Sequence, residues 1–290
     1  MKTIIRILIF SAYALAVCAS AQTKAKIVFF GAKASHSFGA HENSAAAELL
    51  SESVKEAFGA DVECVVVKEK FPFDESFFDN VKLLVIIGDG EKRNPLAGKD
   101  EFLVKLAYKG VGIGIIHYAT MPTAPDKYWA FDIACGGHYE NNFSAFSFWS
   151  AKVELAKHPV TNGVSEFAIN DEWYFNFMLV KGALPVLSAV PPEKIYSKED
   201  GAHSCNKYLR DHKGEATSLA WVYEAGGRRN FAFGGWHSLT AFGNNDFRKL
   251  LVNMCAWGAG FDIPPNGVET RAKSDKEILS HSERNPQPKG

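Results

Sequence analysis

Four histidines sit at the ends of apolar, strand-like runs, and they are the residues best suited to chemistry in this chain. His117 closes Val111-Gly-Ile-Gly-Ile-Ile, just before the turn Tyr118-Ala-Thr-Met-Pro122. His36 and His41 follow Lys26–Gly31 and flank Ser-Phe-Gly-Ala, with Glu42 directly after. His237 follows the run Asn230–Gly235 and Trp236. A neutral imidazole ligates metal or trades a proton near pH 7. The carboxyl ends of the strands form the ligand crevice of an open α/β sheet. Imidazoles placed there from distant segments are expected to share one polar site. His117 falls where a strand-to-helix elbow displays a nucleophile in α/β hydrolases, and imidazole at that point suits an acid, a base or a ligand.

Asp171-Glu172-Trp173-Tyr174 adds two carboxylates beside two aromatics. Neighbours on an extended segment point to opposite faces, so one of the two acids is expected in the site: Glu172, with Asp171 holding a loop. His117, His237 and Glu172 are the expected catalytic groups. His41, His117 and His237 are the candidate ligands for a divalent metal such as Zn²⁺, although no compact H-x-x-x-H pair supports it. Substrate contacts are expected from His36, Glu42, Tyr118, Glu140, Asp171, Trp173, Tyr174, His203 and Trp236. The aromatics among these are surfaces on which a sugar ring stacks. His158, His212 and His281 read as surface residues.

The elements that position these residues alternate at first. Strand-like runs at Lys26–Gly31, Asp61–Lys70, Val81–Gly88 and Gly112–His117 are separated by helical patterns, about His41 to Phe58 and Glu101–Tyr108. That order predicts a parallel sheet with right-handed crossovers. After Gly136 strand candidates dominate: Ser147–Leu155, Leu184–Val190, Ser218–Glu224 and Asn230–Gly235. They are expected to extend the sheet around a long excursion, 141–215, that shapes the site. A closing helix starts near Asn245-Asp246, with Asp246 expected as its N-cap and Arg248 as a surface cation. Phe247, Leu250, Leu251, Met254 and Trp257 give it an apolar stripe. Residues 264–290 turn polar and are expected to be a poorly ordered tail.

Composition narrows the partners. Of 290 residues, 32 are Lys or Arg and 33 are Asp or Glu, so the chain is near neutral and lacks the basic blocks that nucleic acid requires. Residues 1–21 combine Lys2 and Arg6, the apolar stretch Ile7–Val17 and the small-x-small site Ala19-Ser-Ala21. This is the pattern of a secretory signal peptide and places the protein in the periplasm or outside the cell. Lipid anchoring through Cys18 is the weaker alternative, because Val17 is bulky where a lipobox takes a small residue. No later apolar run is long enough for a transmembrane helix. Cys64, Cys135, Cys205 and Cys255 are widely spaced and suit unpaired core thiols better than a disulfide framework.

Several blocks together resemble the ThuA-like (trehalose utilisation) family, whose fold is similar to the class I glutamine amidotransferase domain. They are Ser35-His-Ser-Phe-Gly-Ala-His-Glu42, Gly114-Ile-Ile-His-Tyr-Ala119, Gly136-Gly-His-Tyr-Glu140, His158-Pro-Val-Thr-Asn-Gly163, Asp171-Glu-Trp-Tyr174, Ala220-Trp-Val-Tyr-Glu224, Phe233-Gly-Gly-Trp-His237 and Asn245-Asp-Phe-Arg-Lys249. The resemblance implies a flavodoxin-like three-layer α/β sandwich over residues 22–263, mostly parallel, with helices on both faces and extra C-terminal strands. It also implies a role in sugar catabolism, since family members are associated with oxidoreductases that make 3-keto-sugars. His117 stands where amidotransferases carry a nucleophilic Cys, so glutamine hydrolysis is not inherited. The expected protein is an enzyme acting on a (3-keto-)glycoside or related carbohydrate by His/Glu acid–base chemistry, with metal assistance open. The alternative is a non-catalytic carbohydrate-binding protein. Its partner is a small-molecule carbohydrate, and the reading leaves room for a homo-oligomer.

Overall fold

Successive side chains of each central strand divide between two cores. The computed structural model describes residues 24–284; the expected signal peptide, and Cys18 with it, lies outside the described residues. In chain order the strands are β1 (Ala25–Gly31), β2 (Val62–Lys68), β3 (Val81–Ile87), β4 (Gly112–Ile116), β5 (Gly137–His138) and β6 (Ala145–Lys152). They continue as β7 (Glu154–Leu155), β8 (Ala168–Phe175), β9 (Met178–Leu179), β10 (Leu184–Ala189), β11 (Thr217–Ala225) and β12 (Arg228–Phe233). The helices are α1 (Asn43–Phe58), α2 (Asp100–Tyr108), α3 (Tyr128–Cys135), α4 (Lys207–Asp211), α5 (Asn245–Gly258) and α6 (Asp275–Leu279). Ile27 and Phe29 of β1 face α1 and α5, while Val28 and Phe30 face α2 and α3. Burial on both faces explains why the central strands are apolar throughout rather than alternating.

The eight-stranded sheet runs β2-β1-β3-β4-β12-β11-β10-β7. Its first five strands are mutually parallel and the last three antiparallel. The parallel part has the flavodoxin order, whose ligand crevice opens at the switch point between β1 and β3. The expected α/β sandwich with added C-terminal strands is therefore the observed fold.

Four expectations need correction. Ser147–Leu155 does not run as one strand of the main sheet. Its first part, β6, pairs with β8 in a separate antiparallel hairpin, and only Glu154 and Leu155 reach the sheet edge. Helix α5 is capped by Asn244, whose Oδ1 accepts from the backbone of Asp246 and Phe247, while Asp246 accepts from Ser165 N–H instead. Arg248 is 1 % exposed, donating to the Phe242 carbonyl and Asn245 Oδ1.

The tail is ordered as far as it is described. Val268 and Ile278 are buried, and Val268 N–H donates to Asn253 Oδ1. Arg271 and Lys273 pair with Glu56 on α1. Two aliphatics and a set of charges matching an acidic helix face are enough to dock a segment whose average composition is polar. All four cysteines of the described residues are unpaired, and Cys135, Cys205 and Cys255 are buried. Among the described residues no helix is long and apolar enough to cross a membrane.

Candidate functional site

At the carboxyl ends of β1, β3, β4 and β12, loops far apart in sequence meet over the switch point. The loop after β1 carries His36 and His41; the loop after β3 carries Asp89. His117 follows β4 directly, and His237 follows β12. Backbone bonds tie the first loop to the last: His41 N–H donates to the His237 carbonyl at 3.0 Å, and Leu239 N–H to the Gly39 carbonyl at 2.8 Å. The β6–β8 hairpin lies across these strand ends, anchored where Tyr174 N–H donates to the Gly234 carbonyl at 2.9 Å. A side chain on Gly234 would collide with the Tyr174 carbonyl, 2.3 Å from the position of its Cβ.

The hairpin supplies the carboxylate. Glu172 Oε2 lies 3.2 Å from His237 Nδ1, 3.6 Å from His117 Nε2 and 3.8 Å from His41 Nε2. Each of the four residues His41, His117, Glu172 and His237 offers a donor atom within 4.8 Å of the others. Nine non-glycine residues among those described have positive φ, and five of them border this site: His41, Glu91, His117, His203 and Trp236. Such conformations cost about 1–3 kcal/mol each and persist where surrounding structure fixes them. His117, at φ 61°, takes the strained elbow conformation.

Hydrogen bonds fix the tautomers. His41 Nδ1 is 2.8 Å from Asp89 Oδ1 and His117 Nδ1 is 3.4 Å from the Gly234 carbonyl. Both partners are acceptors, so both δ nitrogens carry protons, and in the neutral rings both ε nitrogens carry lone pairs. Those two ε nitrogens face each other at 3.0 Å. Two lone pairs at that distance repel each other unless a proton or a metal ion stands between them. Burial works against charge on His41, but its bonds to Asp89 and Glu172 outweigh burial and raise its pKa. Burial, followed by the charge of His41, drives His117 well below the usual imidazole range. For Glu172 burial alone would raise the pKa, yet the hydrogen bond from His237, with the imidazoles of His41 and His117 beside it, holds it well below the carboxylate range.

This donor set fits a divalent ion. Three imidazole nitrogens and one carboxylate suit Zn²⁺ or a neighbouring transition metal. The 3.0–3.8 Å separations of His41 from His117 and of Glu172 from all three imidazoles are those that donors with bonds of ~2.0–2.2 Å to one ion span, and the whole set lies within 4.8 Å. The Asp89–His41 bond is the carboxylate–histidine contact that orients metal ligands. Asp89 also accepts from Ser35 Oγ at 3.0 Å and pairs with Arg93 at 3.2 Å. Because Ser35 gives its proton to Asp89, its oxygen accepts from His36 Nδ1 at 2.9 Å, leaving His36 Nε2 unprotonated. The His36 ring lies 3.9 Å from that of His41 at the mouth, tilted by 36°; burial and then His41 lower its pKa.

Alternation along β8 sorts its residues. Glu172 and Tyr174 face the cluster, with Tyr174 edge-on to His117 at 4.8 Å. Asp171 faces away and accepts from the backbone N–H groups of Trp236, His237 and Ser238. It builds the turn that presents His237 and is no substrate contact. Trp173 is fully buried against Phe233 and Phe247, and Trp236 stacks on Phe242, so these two expected contacts belong to the core. Glu42 is also withdrawn: buried, it accepts from Gly39 N–H and Ser282 Oγ and braces the histidine loop. Glu140 turns toward His138, 3.8 Å from its Nε2, rather than to the imidazole cluster. Tyr118 stacks on Tyr174 at 5.1 Å, and His203 reaches in from the excursion to Tyr139 Oη at 3.0 Å.

Asp89, Glu91, Phe146 and Phe148 are site residues that the sequence reading passed over. For Asp89 the signal was available, since it follows an apolar parallel strand as His117 does. The other three carry none, because only the hairpin and the loop after β3 bring them to the rim.

The ThuA (Trehalose utilisation) profile matches residues 26–258. No curated protein matches the chain. Among solved structures, a ThuA-like protein of Bacteroides uniformis is similar with a TM-score of 0.58 and 15% identity, over 82% of this chain and 92% of that one. A ThuA-like protein of Parabacteroides merdae is similar with a TM-score of 0.53 and 15% identity, over 90% of this chain and 100% of the other. At these identities the structural likeness speaks for the fold, and the profile match speaks for the family. The chain belongs to the ThuA (trehalose utilisation) family.

Proposed function

We propose that this protein is a metal-dependent enzyme acting on a (3-keto-)glycoside or related carbohydrate, by proton transfer next to a carbonyl. Family membership supports the carbohydrate; the convergence of His41, His117, Glu172 and His237, with tautomers set for ligation, carries the chemistry. A divalent ion held by these four residues would polarise a sugar oxygen and stabilise an enolate. As ligands, His41 and His117 have both ring nitrogens committed, so neither is free to shuttle protons. His36 is the group left for that task. Its Nε2 is open at the mouth, and Ser35 and Asp89 hold its Nδ1 proton in place. A neutral His36 accepts a proton from the carbon beside the keto group and returns it to a departing oxygen. Tyr118 and Tyr174 wall the reacting centre. The expected signal peptide supports a periplasmic or secreted enzyme.

The decisive experiment combines elemental analysis of protein purified without a His-tag with incubation of the same sample on a panel of 3-keto-glycosides, followed by mass spectrometry and NMR. One equivalent of metal and a new product are expected. Full turnover without stoichiometric metal would end the metal reading. Binding without turnover across the panel would make the protein a carbohydrate-binding module.

A further inference from the structure

Phe148 is 43 % exposed, yet it stands at the rim of the histidine–carboxylate cluster. An apolar ring left in water forgoes the free energy of burial. In the hairpin register Phe148 lies opposite Glu172, and Phe146 opposite Tyr174. Cross-strand partners share a face, so both phenylalanines line the side of the hairpin that carries the cluster's carboxylate. The Phe148 ring meets His237 edge to face at 4.8 Å. Phe146 lies 5.3 Å from Tyr174 and 5.8 Å from His203. Beyond these rings the polarity changes: His203 Nε2 is 3.4 Å from Glu91 Oε1, and Glu91 keeps 43 % of its side chain in water.

We propose that Phe148 and Phe146 are the platform of a saccharide subsite, seating a pyranose ring beside His237 and Glu172 while Glu91 and His203 read its hydroxyls. The proposal rests on the carbohydrate reading above and, among the related carbohydrates that reading admits, selects cyclic over open-chain sugars. One face of a pyranose presents mostly C–H bonds, slightly positive and apolar, which pack against the negative face of an aromatic ring. The hydroxyls then project from the ring's edge, where a carboxylate and an imidazole accept and donate hydrogen bonds. An open-chain polyol has no such face and gains nothing from the platform.

The test uses the metal-loaded, full-length protein, with methyl α-D-glucopyranoside and trehalose as probes and mannitol as the open-chain control. Binding is read by calorimetry and saturation-transfer NMR, metal content by elemental analysis, and folding by circular dichroism. Phe148→Ala should weaken both glucosides about tenfold with metal content unchanged, and Phe148→Trp should retain them. Glu91→Gln should narrow the preference for the glucosides over mannitol. If wild type and Phe148→Ala bind the glucosides equally, the platform is wrong while the carbohydrate reading stands. If wild type binds neither glucoside, or binds mannitol as well, the cyclic-sugar proposal falls; failure to bind any saccharide takes the carbohydrate reading with it.

Discussion

Two histidines in this molecule have the same local arrangement and different surroundings. His41 gives its Nδ1 proton to Asp89 at 2.8 Å, and His138 faces Asp132 in the same way at 2.7 Å. Their ε nitrogens diverge. That of His41 meets His117 and Glu172, on segments 76 and about 130 residues away in sequence. That of His138 is buried without a hydrogen-bond partner, with Glu140 3.8 Å off and the Tyr128 ring stacked above at 4.1 Å. Every member of the second group comes from one short stretch, α3 through Glu140. A carboxylate–histidine pair is therefore a common local unit. It becomes a candidate metal centre only where the fold aims further donors at the free nitrogen.

The contrast breaks most sharply with paired substitutions. His117→Ala should remove the metal and with it the polarisation of the sugar oxygen, lowering kcat by on the order of 10²-fold or more, with circular dichroism unchanged, whereas His138→Ala should leave metal content and turnover near wild type. Equal losses in both would erase the distinction between the two histidines. Asp89→Asn should follow as the next largest effect. Keeping the shape but weakening the hold on His41, it should cost roughly 10 to 100-fold in metal affinity by competition with a chelator. A wild-type affinity would remove Asp89 from the site's support.

The smallest effect concerns the tail that lies beside Glu42. Arg271, then Lys273, lower the pKa of Glu277 to about 2 from its usual 4.5. A depressed carboxylate contributes stability above its unfolded pKa and loses it as pH falls through the folded one. Anchoring of α6 should accordingly be intact above pH 4.5 and weaken toward pH 2. The pair is exposed, so solvent screening keeps the effect small. Hydrogen exchange at α6 should rise in that window for wild type and change little for Glu277→Gln. An identical pH profile for the two proteins would show that other groups anchor the tail.

Much of this was legible in the chain. The alternation of apolar runs and helical stripes determined the parallel sheet, because burial on both faces and helix amphipathicity leave their period in the sequence. The position of each histidine just after a strand determined that His41, His117 and His237 would share an edge, since all parallel strands end on one side. Strand alternation likewise separated Glu172 from Asp171. The same rule sends Trp173 inward with Asp171, against the sugar-stacking role that its aromatic ring suggests. Trp236 was harder, because only a positive φ at the turn swings its ring onto Phe242. The docking of the polar tail, the burial of Arg248 and the arrival of Phe148 at the rim depend on which surfaces meet across long stretches of chain. Periodicity records how a segment faces the core next to it, and carries no information about which distant segment arrives on the other side. That was decided by tertiary packing alone.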